Sequence, residues 1–510
     1  MSERKGRTAE NLEELRNWGG PAEMSAFEAA MWLAEADPRM RVTVTGVLVL
    51  DRAPDWARVV EGHLRITNAV PRLRQRVMEP ALGVGLPQWV DDPDFLLDYH
   101  LRRQRAPEPG DDRQLLDIAQ NLAMEPFDRL RPLWTTTLVE GLEHGRAALI
   151  LKIHHVLSDG IGITQLLDHV VSDARESRAL PLSRRAAPGR TASPTGLAAH
   201  SAGQFLRQAP SEIAGVVASA LESTAGILRR PAALRESWDY IASAGRLLAS
   251  QSTSGSPILR RRSRNWRFDI IELLLSDLKA AAKGAEASIN DVFLAGMIGG
   301  FRRYHEEMGV QIKEMPIALP ISLRTTQDPA GGNRFAGAQY VAPVAERDPM
   351  KRVAHVRDFV RRARREPALD VAQRLSPLLV RLPSSALGMV AGHMTSVQDA
   401  QISNVHGWDR PVYVAGSEVL HHWPFAPAPG CAMMITMLSY NGHCAIGITS
   451  DVAAVTEPEL LVTCLREGLE EILRLGKPPA AAAPVLPAAA PSRKPRKRRN
   501  PGRPQRETTT

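Results

Sequence analysis

The sequence predicts a mixed α/β (α+β) protein, and three observations carry that prediction. Segments with strand-like alternation or β-branched runs interleave with segments of helical period along most of the chain. No unit repeats at any short period, which argues against a solenoid or propeller. The chain has 510 residues, 44% apolar and 24% charged, an ordinary globular composition. That length allows roughly two to four domains of ~100–200 residues each.

The elements follow in order. Residues 1–21 read as a polar extension. Residues 24–36 (MSAFEAAMWLAEA) have helical apolar spacing, and residues 41–50 (RVTVTGVLVL) form a β-branched strand. A helical period returns over 55–66 and 112–125, with strands predicted at 133–140 and 147–153. The second strand runs straight into HHVLSDG, and a helix is expected over 162–174. These make a first domain over 22–180. Residues 181–262 read as a partly helical connector, opening in an Arg/Ser/Ala/Pro-rich stretch and broken by QSTSGSP at 251–257. The second domain, 263–476, is predicted to hold a helix at 289–309, a strand at 315–323 and helices through 350–393. Strands follow around 411–420, 431–440 and 443–450, then a helix at 458–475. Asn441-Gly442 joins the last two strands, and both residue types tolerate the positive φ of a tight hairpin. Residues 477–510 are an Ala/Pro spacer and a basic tail.

Charge is unevenly placed. Lys and Arg number 64 against 56 Asp and Glu, a net +8. From Lys477 onward there are nine basic residues and one acidic, so residues 1–476 are neutral overall. By charge the body is not a nucleic-acid-binding domain, and no nucleic-acid partner is expected. Cys431, Cys444 and Cys464 make no CxxC and suit no zinc spacing; so sparse and odd a set points to a reducing compartment. The charged N-terminus lacks a signal-peptide core. The longest uncharged stretch, 419–450, contains Pro424, Pro427, Pro429 and Gly430 and cannot be one spanning helix. A cytoplasmic protein is expected.

The sharpest chemical signal is His154-His155-Val156-Leu157-Ser158-Asp159-Gly160 at the end of a buried strand and before a helix. If the strand persists, Leu149, Leu151, Ile153 and His155 share one face, and Ile150, Lys152 and His154 the other. The first set is otherwise apolar, so His155 is expected in the drier environment, as a neutral imidazole able to take a proton near pH 7. Asp159 would pin the loop through an arginine. Gly160 would let the chain turn closely and open a helix. The competing readings are a pair of buried histidines with a helix-capping Asp, and a metal site. The divergence of neighbouring strand residues and the lack of a third ligand cluster disfavour the metal.

HHVLSDG resembles the HHxxxDG motif of the CoA-dependent acyltransferase superfamily. The chain is more specifically similar to the bacterial wax ester synthase/diacylglycerol acyltransferase family over about residues 22–475. MSAFEAAMW resembles its N-terminal helix and Pro132-Leu133-Trp134 its PLW motif. Asn290-Asp291 resembles its ND motif, and PISLRTTQDPAGGN, with Arg324 and Gly332-Asn333, the segment after it. SNVHG and LSYNG match late segments. One departure stands out: where the family usually has SNVPGP, this chain has SNV-His406-Gly407-Trp408, on a segment expected to line the acceptor side.

The resemblance implies two chloramphenicol-acetyltransferase-like domains facing across a tunnel. It implies His155 as general base toward an acyl-CoA thioester, His154 as its support and Asp159 as a structural residue. Asn290 and Asp291 would shape the site from the second domain. No bound cofactor is implied, only acyl-CoA as co-substrate. The expected acceptor is diacylglycerol, with a long-chain fatty alcohol as the alternative and a non-catalytic acyl-CoA- or lipid-binding role as the competing class. Without the resemblance, Asn290-Asp291 reads as a helix N-cap and the PLW tryptophan as packing. Arg260, Arg261 and Arg262, with Arg264 and Arg267, either steer CoA phosphates or form a solvated charge run. His421-His422 reads as incidental. The tail reads either as a solvated segment or as a peripheral contact with membrane or lipid droplet.

Overall fold

The computed structural model describes residues 13–176, 192–201, 255–324, 330–366 and 371–476. The expected connector helix beyond residue 201, the first twelve residues of the polar extension and the spacer and tail from Lys477 lie outside the described residues. In chain order the first half contains α1 (Ala26–Ala34), β1 (Thr43–Leu50), α2 (Trp56–Ala69), β2 (Gln75–Met78) and β3 (Gln88–Asp91). It continues with β4 (Leu101–Arg105), α3 (Asp112–Met124), β5 (Trp134–Glu140), β6 (Ala147–His154) and α4 (Gly160–Asp168). The second half opens with β7 (Trp266–Leu274), α5 (Leu275–Gly284), α6 (Ile289–Glu307), β8 (Met315–Ser322) and β9 (Phe335–Ala342). Three helices follow: α7 (Pro349–Ala363), α8 (Val371–Leu379) and α9 (Ser384–Ser396). Last come β10 (Ala400–His406), β11 (Tyr413–Val414), β12 (Ser417–Phe425), β13 (Met433–Tyr440), β14 (His443–Asp451) and α10 (Pro458–Leu473).

Local chemistry sets many of these boundaries. Ser25 and Glu28 close a capping box over α1, and Asp111 and Gln114 do the same for α3. Asp55 caps α2 through the Ala57 and Arg58 amides. The helix after the histidine loop starts at Gly160, two residues earlier than its apolar period suggests, because the Asp159 side chain accepts the Gly162 N–H. Asn441 and Gly442 both have positive φ, as the β13–β14 hairpin requires. Strands β4, β7, β9 and β10 carry no clear sequence signal.

The strands form two six-stranded sheets and a small β2–β3 pair. The first sheet runs β11-β12-β1-β6-β5-β4 and the second β7-β14-β13-β10-β8-β9. The expected split of the chain near residue 263 misses one feature. Strands β11 and β12, from the second half of the sequence, belong to the first sheet. There β12 pairs antiparallel with β1, Thr45 opposite Phe425 and Leu48 opposite His422. Their hydrogen-bonding edge is completed by a strand far away in sequence, which no local pattern announces.

Both faces of the first sheet are buried. Leu48, Leu149 and Ile153 join a core with Ile66 and Leu166 of α2 and α4. Val47, Val49 and Ile150 face the other way, into a core shared with Leu115 and Ala119 of α3, Trp266 and Phe268 of β7, and Trp423 and Phe425 of β12. Phe268 and Phe425 stack with centroids 4.2 Å apart. Arg113 of α3 donates to the Phe268 carbonyl at 2.8 Å and to Asp269 at 3.0 Å. The two halves are therefore joined by packed apolar surface. All three cysteines are buried and unpaired, and burial pushes the Cys431 thiol up to about 12. Among the described residues, no helix is long and apolar enough to cross a membrane.

The sheets are in close contact where Gly447 of β14 passes Pro424 of β12. A Cβ there would lie 1.7 Å from the Pro424 carbonyl oxygen. Gly447→Ala should lower the urea midpoint by an amount equivalent to ~1–3 kcal/mol, through overpacking. An unchanged midpoint would show that the sheets do not meet there.

Candidate active site

Strand β6 carries the two histidines to the boundary between the halves, then stops. It ends at His154, and the Leu157 N–H turns back onto the His154 carbonyl. The alternation that was to place His155 in the drier position therefore does not extend to it. His154 is the more enclosed residue, 2% exposed, and His155 is half-buried.

Each imidazole has a distinct set of partners. His154 Nδ1 accepts the Val156 N–H at 3.2 Å, so the proton of the neutral ring sits on Nε2, which lies 2.9 Å from Glu35 Oε1. Trp32 and Phe127 flank the ring. Glu35, at the end of α1, also accepts the Val42 N–H at 2.9 Å. Burial pushes its carboxyl up, but His154, the Val42 amide and Arg129 together hold it below the usual carboxylate range.

His155 is held by Asn333, from the second half of the chain. The Asn333 Nδ2 donates to the His155 carbonyl at 2.9 Å and to Glu28 Oε1 at 3.3 Å. Two oxygen acceptors fix the amide's orientation, so its Oδ1 is the atom facing His155 Nδ1 at 2.9 Å. The His155 proton therefore sits on Nδ1, and Nε2 carries the free lone pair. Burial lowers the His155 pKa below the ordinary imidazole value; the Asn333 hydrogen bond and the Asp159 charge oppose this in part. The Phe335 ring lies 5.5 Å from that of His155.

Asp159 ties the loop to the same segment. Its Oδ1 caps α4 through the Gly162 N–H at 2.9 Å, and its Oδ2 accepts from Arg324 Nη2 at 2.9 Å and the Arg334 N–H at 3.3 Å. The Asp159 N–H donates to the Gly332 carbonyl at 3.1 Å. The fit leaves no room for side chains: a Cβ on Gly162 would lie 2.8 Å from the Gly331 Cα.

A base with a defined free lone pair, seated on a loop that precedes a helix N-terminus, suits proton abstraction from a hydroxyl. The catalytic-domain model of the wax ester synthase/diacylglycerol acyltransferase family matches residues 24–293, and the family's C-terminal-domain model matches residues 331–473. The chain belongs to the wax ester synthase/diacylglycerol acyltransferase family.

A Mycobacterium tuberculosis protein assigned as a candidate diacylglycerol O-acyltransferase is 37% identical over 472 residues, 92% of this chain and 94% of that one. The structure of the Marinobacter aquaeolei wax ester synthase/diacylglycerol acyltransferase superposes with a TM-score of 0.60 at 19% identity, over 89% of this chain and all of that one. A starter condensation domain of rhizomide synthetase, a double mutant in complex with C8-CoA and Leu-SNAC, superposes with a TM-score of 0.55 at 14% identity, over 89% of this chain and 94% of that one. The chain is an acyltransferase of the wax ester synthase/diacylglycerol acyltransferase type, with the two-half fold shared by condensation domains.

Other residues singled out in this family member lie elsewhere. Asp291 closes a capping box with Ser288 at the start of α6, and half-buried Asn290 lies on the same first turn. Neither hydrogen-bonds to the histidine loop among the described residues; the N-cap of this helix is Ser288, and Asp291 is its capping-box partner. The second half reaches His155 with Asn333 instead. Arg262 is not available for a phosphate: its guanidinium donates to the Gly430, Leu259, Arg261 and Gln398 carbonyls. Arg260, Arg261 and Arg264 are exposed, and Arg267 pairs with Asp269 and Glu459. Trp134 packs on His100 and donates to the Leu73 carbonyl at 2.8 Å. Trp408, in the departing SNV-His-Gly-Trp segment, is a core residue of the first half and donates to Asp168.

Four residues of this network had no site role in the sequence reading: Glu28, Glu35, Arg324 and Asn333. Arg324 and Asn333 lie in a segment that carries the family resemblance, which was their one signal. Glu28 and Glu35 read only as polar positions on a helix.

Asp159→Ala strips the cap and removes one half of a buried charge pair, while Arg324 keeps its bonds to the Gly331 and Gly332 carbonyls. It should cost at least the ~1 kcal/mol of a lost cap, read as a lowered denaturant midpoint. Asp159→Asn keeps a capping oxygen and should lose distinctly less. Equal losses would show that the cap contributes nothing.

Proposed function

We propose that this chain transfers a long-chain acyl group from acyl-CoA to the free hydroxyl of diacylglycerol, forming triacylglycerol, with His155 as general base. The observation that carries the reading is the orientation of Asn333. It leaves His155 Nε2 unprotonated, and burial keeps the ring neutral at pH 7. His155 Nε2 takes the hydroxyl proton as the oxygen attacks the thioester carbonyl. The C–S bond breaks, and the imidazolium returns the proton to the departing CoA thiolate. The thioester is already activated, so positioning and the exclusion of water supply much of the remainder. Glu35 would orient His154, and Asp159 would hold the loop. The tuberculosis relative's assigned activity supports the acceptor, and the acyl-CoA bound by the condensation domain supports the donor. A long-chain alcohol in place of diacylglycerol would give a wax ester, and the Marinobacter protein is named for both activities.

Long-chain acyl-CoA with dioleoylglycerol or hexadecanol, followed by thiol release and lipid identification, tests the reaction. His155→Ala should lower turnover by ~10²–10⁴-fold. Because the His155 pKa is lowered, kcat/KM should stay flat through neutral pH and fall only below the ordinary imidazole value of about 6.5. Asn333→Asp places a carboxylate against Nδ1, stabilises the imidazolium and should move that acid limb upward. An acid limb that ignores this substitution counts against His155 as the base.

The basic tail would hold the enzyme at an anionic lipid surface, at up to ~1 kcal/mol per basic residue. Binding to phosphatidylserine vesicles should fall with salt and with truncation after Gly476. Equal binding by the truncated chain refutes that role.

A further inference from the structure

His421-His422 is the second histidine pair of the chain, and the fold separates its members. His421 is half-buried and meets Glu272 of β7, its Nδ1 2.7 Å from the carboxylate. His422 is 6% exposed, and its Nδ1 is enclosed with no hydrogen-bond partner among the described residues. Burial pushes its pKa down to about 4, so the ring is neutral at pH 7 and carries one N–H. An orphaned buried N–H is rarer in folded proteins than an unused acceptor. The proton therefore belongs on Nε2. Trp408 holds the plane of the ring: the two stack with centroids 5.5 Å apart, and Trp408 Nε1 donates to Asp168 at 3.0 Å. Trp408 is also part of the segment where this chain departs from the usual SNVPGP.

The Nε2 atom faces an opening in the sheet surface. A Cβ on Gly46 would lie 3.6 Å from His422 Nε2, and apart from its chain neighbours it would meet no other heavy atom within 4 Å. Strand β1 is an interior strand, with β12 on one side and β6 on the other. Val44 and Gly46 nevertheless keep partial exposure, as does Leu151, which pairs with Gly46 across to β6. These residues share the face of Leu48, whose partner on β12 is His422. A half-exposed apolar strip thus runs along β1 beside a buried donor. At the other end of the strip the Val42 carbonyl accepts the His155 N–H at 2.8 Å. About 13 Å of extended strand separates Val42 from Gly46.

We propose that His422 donates a hydrogen bond from Nε2 to a carbonyl oxygen of a substrate lying along β1, remote from that substrate's reacting end. The inference rests on the proposed acyl transfer and deepens it by naming a specificity-determining residue. Two substrate groups supply such an oxygen: the pantetheine amides of acyl-CoA and the ester carbonyls of diacylglycerol. A long-chain alcohol has neither. A site built to pair a polar group discriminates against an analogue that lacks it, so the alcohol is the natural control.

The test compares the parent chain with three variants. His422→Met removes the donor, and His422→Gln restores one. Gly46→Ala leaves His422 in place and puts a methyl group in the opening; Gly46 lies outside the positive-φ region, so alanine suits its backbone. That variant keeps the test open if the replacements at 422 do not fold. The first readout is equilibrium binding of an S-hexadecyl pantetheine thioether, of dioleoylglycerol and of hexadecanol. It needs no turnover, so it stays informative even if the protein transfers no acyl group. With His422→Met and Gly46→Ala, affinity for one of the two carbonyl ligands should fall by about three- to tenfold, with hexadecanol unchanged and His422→Gln recovering most of the loss. A loss with the thioether assigns the contact to the donor, and a loss with dioleoylglycerol assigns it to the acceptor. The second readout is KM, which should rise for that same substrate. The third is the urea midpoint of His422→Met, which should hold or rise, because an apolar side chain replaces an unpaired buried polar one. Unchanged affinity for both carbonyl ligands, an equal loss with hexadecanol, or a lowered midpoint would overturn the inference and leave His422 a packing residue.

Discussion

A carboxylate and a guanidinium, each about 10% exposed, meet at 2.9 Å where Asp159 faces Arg324. Little water reaches either group, and their mutual charge, with the Gly331 and Gly332 carbonyls on the Arg324 side, offsets much of the desolvation. The same carboxylate caps α4 and accepts the Arg334 amide, so it fixes the helix and the neighbouring segment together. Gly331, Gly332 and Asn333 are brought against the histidine loop by that contact, and the Asn333 amide then decides which nitrogen of His155 is protonated. The tautomer of His155 is thus traceable through a short series of hydrogen bonds to one buried charge pair. Neither residue of that pair needs to touch a substrate.

The two histidines illustrate how neighbours in sequence diverge in role. His154 accepts at Nδ1 from the backbone and turns Nε2 to Glu35; His155 turns Nδ1 to Asn333 and keeps Nε2 free. Their tautomers are opposite, and each is set by the partner of the other ring nitrogen. Helix α1 serves both, with Glu28 bonded to Asn333 and Glu35 in contact with His154. A helix that reads from its sequence as ordinary packing is therefore part of the site's electrostatic frame.

What could be read from the sequence was whatever depends on neighbours along the chain. The strand into HHVLSDG, the cap at Asp159 and the Asn441-Gly442 turn follow from local chemistry, and the structure contains them. The Ser288–Asp291 capping box also lies within local reach. The placement of His155 failed for a local reason too: alternation holds only while the strand continues, and β6 ends one residue short. The remainder depends on tertiary contact. Asn333 is 178 residues from His155, and Glu35 and His154 come from different elements of the first half. No spacing rule joins such pairs. They became visible only when two sheets and their loops were placed together.

Strand β12 carries a consequence for how the molecule is assembled. It pairs with β1 across more than 350 residues of chain, and without it one edge of β1 has no partner in the first sheet. Val47 and Val49 likewise wait for Phe268, Trp423 and Phe425 to cover them. Contacts of such long sequence separation carry a loop-closure cost and form late. During synthesis, a ribosome that has released the first half has not released a completed domain. The histidine loop emerges early but is buttressed by Arg324 and Asn333 only after about half of the remaining chain has followed. An acyltransferase built this way fixes the His155 tautomer only once Asn333, from the other half, has joined the histidine loop.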